Sequence, residues 1–153
     1  MAKPVIRCRM EFHGGTNFTQ KFGLEPGGRV QQTIDEAALE YASIYEPRRE
    51  GVMHDTARSA TNFGSGEVIY PGPYAHYQYK GEVYGPNIPI YEDNTGIPTK
   101  FVSPKNKSKH PTGRALKYTK AGAQSFWWEK MKENHAQDIL RLAAKAAVKG
   151  EKG

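Results

Sequence analysis

The chain carries a single cysteine, Cys8. One cysteine closes no internal disulfide, so nothing in the composition points to an oxidising compartment. No stretch of apolar residues is long enough to cross a bilayer as a helix, so no membrane partner is expected. The segment Met1–Arg7 lacks the apolar centre of a secretory signal, and a soluble, intracellularly made protein is expected. Hydrophobic residues make up only 37% of the 153 positions. That is thin for a self-sufficient core, so part of the apolar surface is expected to serve neighbours.

Sites for chemistry are also scarce. His13, His54, His76, His110 and His135 stand at no metal-ligand spacing with Cys8 or with one another. No Gly-x-Ser-x-Gly elbow and no phosphate-binding glycine loop occurs, and Gly64-Ser65-Gly66 reads as a turn before a strand. Cys8 alternates with apolar residues and reads as a small core residue. Asp35 and Glu36 are adjacent on a helix, so they point apart and cannot share a substrate; a solvated helix face is expected there. No catalytic residue, metal or cofactor is expected.

What the chain does hold is punctuation and aromatics: 16 Gly, 10 Pro, 9 Tyr and 2 Trp. Val5–Phe12 alternates, with Ile6, Cys8, Met10 and Phe12 on one face, and predicts a strand. A short helical turn is expected at residues 17–22. Between Gly28 and Tyr45, Val30, Ile34, Ala37, Tyr41 and Ile44 recur at three- and four-residue spacing and predict an amphipathic helix that Pro47 ends. A shorter helix is expected over Gly51–Ser59 and a strand over Glu67–Tyr70. Tyr74–Gly81 reads as a helical turn with Pro73 at its first position and Gly81 after its last. Glu82–Tyr84 reads as a brief strand. Residues 85–114 contain five prolines and read as one long loop, which is unusual inside a compact domain unless a neighbour orders it. A closing strand at Ala115–Tyr118 and a helix from about Ala121 to Val148 complete the expectation. The tail 149–153 should fray.

Charge divides the chain. Residues 1–99 hold 9 Lys/Arg against 12 Asp/Glu, and residues 100–153 hold 13 against 4, or net −3 and +9. Oppositely charged halves suit contacts between copies of one chain, and a solvated lysine surface is the plainer alternative. Six of the nine tyrosines fall between Tyr70 and Tyr91. They read either as ordinary packing or as a subunit contact. Base stacking is a weaker third reading, because only Lys80 lies within the run. Trp127 and Trp128 diverge on a helix, so one anchors it and the other is free to meet a neighbour or the long loop; both packed within the chain is equally open. The contact candidates are Tyr74, Tyr77, Tyr79, Tyr84, Tyr91 and Trp128. Lys105, Lys107, Lys109, Arg114 and Lys117 form a basic set suited to DNA phosphates or an adjoining ring, without interleaved aromatics for sequence reading.

The run Pro73-Tyr74-Ala75-His76-Tyr77-Gln78-Tyr79-Lys80-Gly81-Glu82-Val83-Tyr84-Gly85-Pro86-Asn87 resembles the YAxYQYxGxVYGPN signature of the minor capsid proteins of tailed bacteriophages. Similar residues continue at Ser103-Pro104, Pro111–Tyr118 and Trp127–Lys132, and upstream at Tyr45–Gly51 and Thr56-Ala57, so the resemblance spans roughly residues 28–140. Ala115 and the Lys-rich loop depart from the pattern. The family is similar in turn to neck and tail-completion proteins. The resemblance implies an α+β fold: a small, mostly antiparallel sheet against a long N-terminal helix, with a long C-terminal helix and an extended Pro/Lys-rich loop. It implies one domain over residues 1–148, with residues 85–114 as an arm, assembled into a homo-oligomeric ring of six or twelve copies at the head–tail junction of the virion. Partners would be other copies, adjoining connector, portal-side or tail-side rings, and packaged DNA touched without base reading. One subunit patch would be the acidic N-terminal helix and the other the lysine-bearing arm. A basic nucleic-acid-binding accessory protein is the alternative function.

Overall fold

A computed structural model of the chain describes residues 5–9, 23, 25–48, 51–92 and 94–151. The expectations for residues 10–12 and 17–22 lie outside the described residues. The fold is α+β, with four helices and three separate two-stranded antiparallel sheets rather than one. In chain order these are β1 (Ile6–Arg9), α1 (Arg29–Tyr45), α2 (Val52–Ala60), β2 (Glu67–Tyr70), α3 (Pro73–Lys80), β3 (Glu82–Gly85), β4 (Ile88–Ile90), β5 (Lys100–Val102), β6 (His110–Ala115) and α4 (Trp127–Glu151).

The body is built on α1 and α4, which run antiparallel. Arg29 at the start of α1 donates to the Ala146 and Ala147 carbonyls near the end of α4, at 3.1 Å each. A guanidinium there lies toward the C-terminal end of α4, where the negative end of the helix dipole favours it. At the other end, the Tyr45 hydroxyl lies 2.9 Å from His135 Nε2, and Tyr41 stacks on the same imidazole at 4.5 Å. Val30, Ile34, Ala38, Leu39 and Ala42 bury from α1, against Trp127, Met131, Ile139 and Ala143 from α4. The buried arc is therefore rotated from the predicted stripe: Ala37 and Tyr41 are only part-buried and Ile44 is exposed. The reason is that α1 is covered on two sides, by α4 and by β2.

That second side corrects the expectation of a solvated Asp35. Its side chain is 3% exposed and acts as a hub. It accepts from the Gly64 and Gly66 amides at 2.7 and 3.0 Å and from Gln31 at 2.8 Å. The carboxylate thus fastens the turn that feeds β2, a buried polar group fully supplied with donors. β2 pairs antiparallel with β1 in the register Ile6↔Tyr70 to Arg9↔Glu67. Cys8 and Val68 face the core, while Arg7 and Arg9 both pair with Glu67 outside.

A second buried carboxylate sits where Pro47 ends α1. Glu46 is in extended geometry (φ −72°, ψ 146°), as the proline demands. At 1% exposure, it accepts the Tyr70 hydroxyl at 2.9 Å and lies 2.8 Å from His54 Nδ1. Lys120 donates to the Glu46 carbonyl at 3.1 Å and to the Ser43 carbonyl, tying in the segment before α4. Burial pushes the Glu46 carboxyl above its ordinary range, outweighing the hydrogen bonds and positive charge around it. Burial and the Glu46 charge also push the Tyr70 phenol well up, and burial pulls the Lys120 ammonium down.

The last helix starts at Trp127, six residues later than predicted, and continues through Glu151 rather than ending at Val148. No helix among the described residues is long and apolar enough to cross a membrane.

Two outcomes follow from the buried groups. Burial pushes the Cys8 thiol up to about 12, so a thiol reagent at neutral pH should leave the native protein unmodified and label it once on unfolding; rapid native labelling contradicts the placement of β1. Because the Glu46 carboxyl holds its proton more tightly when folded, its contribution to stability is complete below the ordinary glutamate range and is lost as pH rises through the folded-state value. Urea titrations between about pH 4 and pH 8 should therefore show a flatter pH dependence for Glu46→Gln than for the parent chain. Parallel curves would refute the assignment.

Candidate functional site

Between α3 and α4 the chain leaves the body and returns. The departure is fixed at Gly81, which caps α3 in a left-handed conformation (φ 72°). A Cβ there would fall 2.5 Å from Ser125 Cβ, so the position excludes any side chain twice over. The return is latched beside it. Leu116 N donates to the Gly81 carbonyl at 2.9 Å, the Tyr118 hydroxyl to the Gln78 carbonyl at 2.6 Å, and Phe126 N to the Tyr79 carbonyl at 2.9 Å. Phe126 itself takes φ 51°, rare for a bulky residue, to turn the chain into α4.

Residues 82–115 are therefore not the single long loop the prolines suggested. They form a two-stranded β-ribbon in two stages. β3 pairs with β6 (Glu82↔Ala115, Tyr84↔Pro111, Gly85↔His110), with a bulge in β6 around Gly113 at φ 76°. The strand expected at Ala115–Tyr118 is instead His110–Ala115. Beyond a cis Gly85–Pro86 bond, β4 pairs with β5 (Ile88↔Val102, Pro89↔Phe101, Ile90↔Lys100). Prolines are tolerated because a two-stranded ribbon is all edge: each strand has one side whose amides need no partner in the ladder. Side chains stitch the stages: Thr112 Oγ1 to the Val83 carbonyl (2.6 Å), Gly113 N to Glu82 (2.8 Å), and Lys100 to Glu92 (2.7 Å).

The distal stage has no covered face. Opposed residues share a side, so Ile88 and Val102 project on one face and Pro89 and Phe101 on the other. Phe101 is 62% exposed and Ile97, in the tip, 69%; Ile88, Tyr91 and Val102 are exposed as well. β4 and β5 pack on each other and on no other element to a comparable extent.

The predicted contact residues divide accordingly. Tyr74 on α3 and Tyr91 on the ribbon are exposed. Tyr77 and Tyr84 stack on each other at 4.5 Å with His76 beside them and stiffen the ribbon's root, each half-buried. Tyr79 turns inward, 4.8 Å edge-on to Trp127 and bonded to Glu129; burial and that carboxylate push its phenol up. Trp128 is a correction. It is 3% exposed and so covered within its own chain, as is Trp127. Residues 127 and 128 open a helix that sits deep in the body, where its first turn is surrounded by packing. Of the basic set, Lys109 is already engaged, donating to the Pro86 carbonyl and to Asn87 Oδ1 at 2.9 Å each. Lys105, Lys107, Arg114 and Lys117 are exposed.

The body offers one complementary feature that sequence reasoning missed. A groove of about 450 Å³ lies between the start of α2 and the start of α3, lined by Pro47, Gly51, Val52, Met53, Thr56, Pro71, Tyr74 and Ala75. Each member of the Glu46–His54–Tyr70 network is the chain neighbour of a lining residue. Two separate segments, residues 47–56 and 71–75, form the groove, so no local pattern could have announced it. Among the described residues no cluster of His, Cys, Asp or Glu could hold a metal ion.

No family model, curated protein or solved structure matches the chain.

The body closes beneath the ribbon without using it. Replacing residues 86–109 by a two-residue Asn-Gly turn, which joins the paired Gly85 and His110, should change the unfolding free energy by about 1 kcal/mol or less. Loss of cooperative unfolding would show that the distal stage belongs to the core.

Proposed function

We propose that the chain is a structural protein of a tailed-bacteriophage virion, one copy of a homo-oligomeric ring at the head–tail junction, acting by packing and not by catalysis. The observation that carries the proposal is the distal ribbon, apolar on both faces and covered on neither. Side chains of this kind left in water on a projecting hairpin mark a surface meant for a partner. The resemblance of Pro73–Asn87 to the phage minor capsid signature supplies the setting, and those residues are the helix and root strand that launch the ribbon. A ring of six or twelve copies, and a place as connector or tail-completion component, are the form the resemblance suggests.

The acidic-helix half of the expected contact has little support. On α1, Asp35 is buried and Glu40 pairs with Arg58 at 2.8 Å, which leaves Glu36 as the helix's one exposed carboxylate without an ion pair among the described residues. The second reading, a basic nucleic-acid-binding accessory protein, rests on Lys105, Lys107, Arg114 and Lys117, exposed and without an ion pair among the described residues.

Mass photometry and negative-stain microscopy of the purified protein, nuclease-treated, should show discrete rings that the ribbon-excised chain does not form. A protein that stays monomeric at every concentration, alone and with phage particles, overturns the proposal. Monomeric DNA binding that falls steeply with salt would favour the second reading.

A further inference from the structure

We infer that the distal ribbon of one copy seats in the Pro47–Val52–Tyr74 groove of the next copy, a head-to-tail contact between two different patches of the same chain. This rests on the assembly reading above and names the surface that receives the ribbon.

Three observations fix the occupant as a second copy. The first is area. The exposed apolar side chains of the distal stage and tip leave on the order of 600 Å² in water, taking their fractional exposures against the area such side chains bury when covered. A stable interface takes about 800 Å² from each partner, so the ribbon supplies most of one side. The groove and its rim present the exposed Val52 and Tyr74 side chains as an apolar counterface. At about 450 Å³, the groove has room for about two large apolar side chains at interior packing density. Phe101 and Ile97 are the two most exposed on the arm.

The second is reach. From Glu82 to the tip near residue 95 the ribbon extends at most about 40 Å at the rise of a β-strand, which is comparable to the width of the body. It projects past its own body far enough to cross onto a neighbour. The root is held in place by the Gly81 latch and the Tyr77–Tyr84 stack.

The third is charge. Among the described residues the groove rim bears an exposed charge of each sign: Asp55, one turn along α2 from Val52, and Arg48, whose guanidinium lies over Gly51. The ribbon carries the exposed pair Lys100–Glu92 beside the tip. Lys100 can face Asp55 and Glu92 can face Arg48 across the contact, opposite charge to opposite charge. Because the two patches differ and lie apart on one chain, each copy offers a ribbon forward and a groove behind. Such contacts make a ring when the rotation from copy to copy closes, and an open filament when it does not.

The buried, unreactive Cys8 leaves the chain silent to disulfide cross-linking, so introduced cysteines report alone. Full-length Phe101→Cys and Val52→Cys chains, mixed and oxidised, should give a covalent dimer at several times the yield of either variant alone. A chain carrying both changes should give a ladder that ends at the ring size. Ile97→Cys with Tyr74→Cys serves as an independent pair, and Phe101→Asp should abolish assembly while leaving thermal unfolding of the body unchanged. Rings that form while neither pair cross-links, or Phe101→Cys joining only to itself, would overturn the groove assignment and leave the ring standing. A cross-link within one chain would show the ribbon folded onto its own groove and overturn it too. A chain that never assembles defeats the ring and this contact together.

Discussion

The Trp127 indole is the point at which the body closes. It lies edge-on to Tyr70 at 5.5 Å and to Tyr79 at 4.8 Å, so one ring joins β2, α3 and α4. Edge-to-face pairs of this kind add to the large area that aromatics bury. All else hangs on that junction. With Trp127 seated, α4 is held along α1, and Met131 and Ile139 fall into the core behind it. The segment that leads into α4 must then pass over the end of α1, where Lys120 clasps the Ser43 and Glu46 carbonyls. Residues 82–115 are left as an excursion between two fixed posts.

That arrangement separates two jobs in one short chain. The body keeps its own hydrophobic core and supplies its two buried carboxylates, Asp35 and Glu46, with hydrogen-bond partners internally. Asp35 and Glu46 are costly to bury, and each is supplied with donors from distant segments. They fix the turn before β2 and the corner after α1 in one arrangement. The ribbon obeys the opposite rule. It satisfies its inner backbone hydrogen bonds and leaves its apolar side chains uncovered. A low overall hydrophobic content is then reconciled with a real core: the scarce apolar residues are divided between an interior and an uncovered ribbon.

The corner at Glu46 and Pro47 links the two jobs. Pro47 lines the groove, while the carboxylate of the preceding Glu46 accepts the Tyr70 hydroxyl and sits against His54. One wall of the groove is thus carried by a corner that a buried hydrogen-bond network holds in place.

The sequence by itself determined the local elements. Alternation set β1, apolar spacing and Pro47 set the extent of α1, and Pro73 and Gly81 bracketed α3, because these signals act within a few residues. It also marked residues 85–114 as exceptional, though their prolines hid a ribbon: pairing across ten to thirty residues leaves no periodic trace when proline and glycine are tolerated on open edges. Tertiary structure alone decided which face of α1 is buried, that Asp35 is a hub rather than a solvated charge, that Trp128 is covered, and that a groove exists. Each of these depends on what a distant segment places against the residue, and burial, unlike helix or turn formation, is a property of the pair.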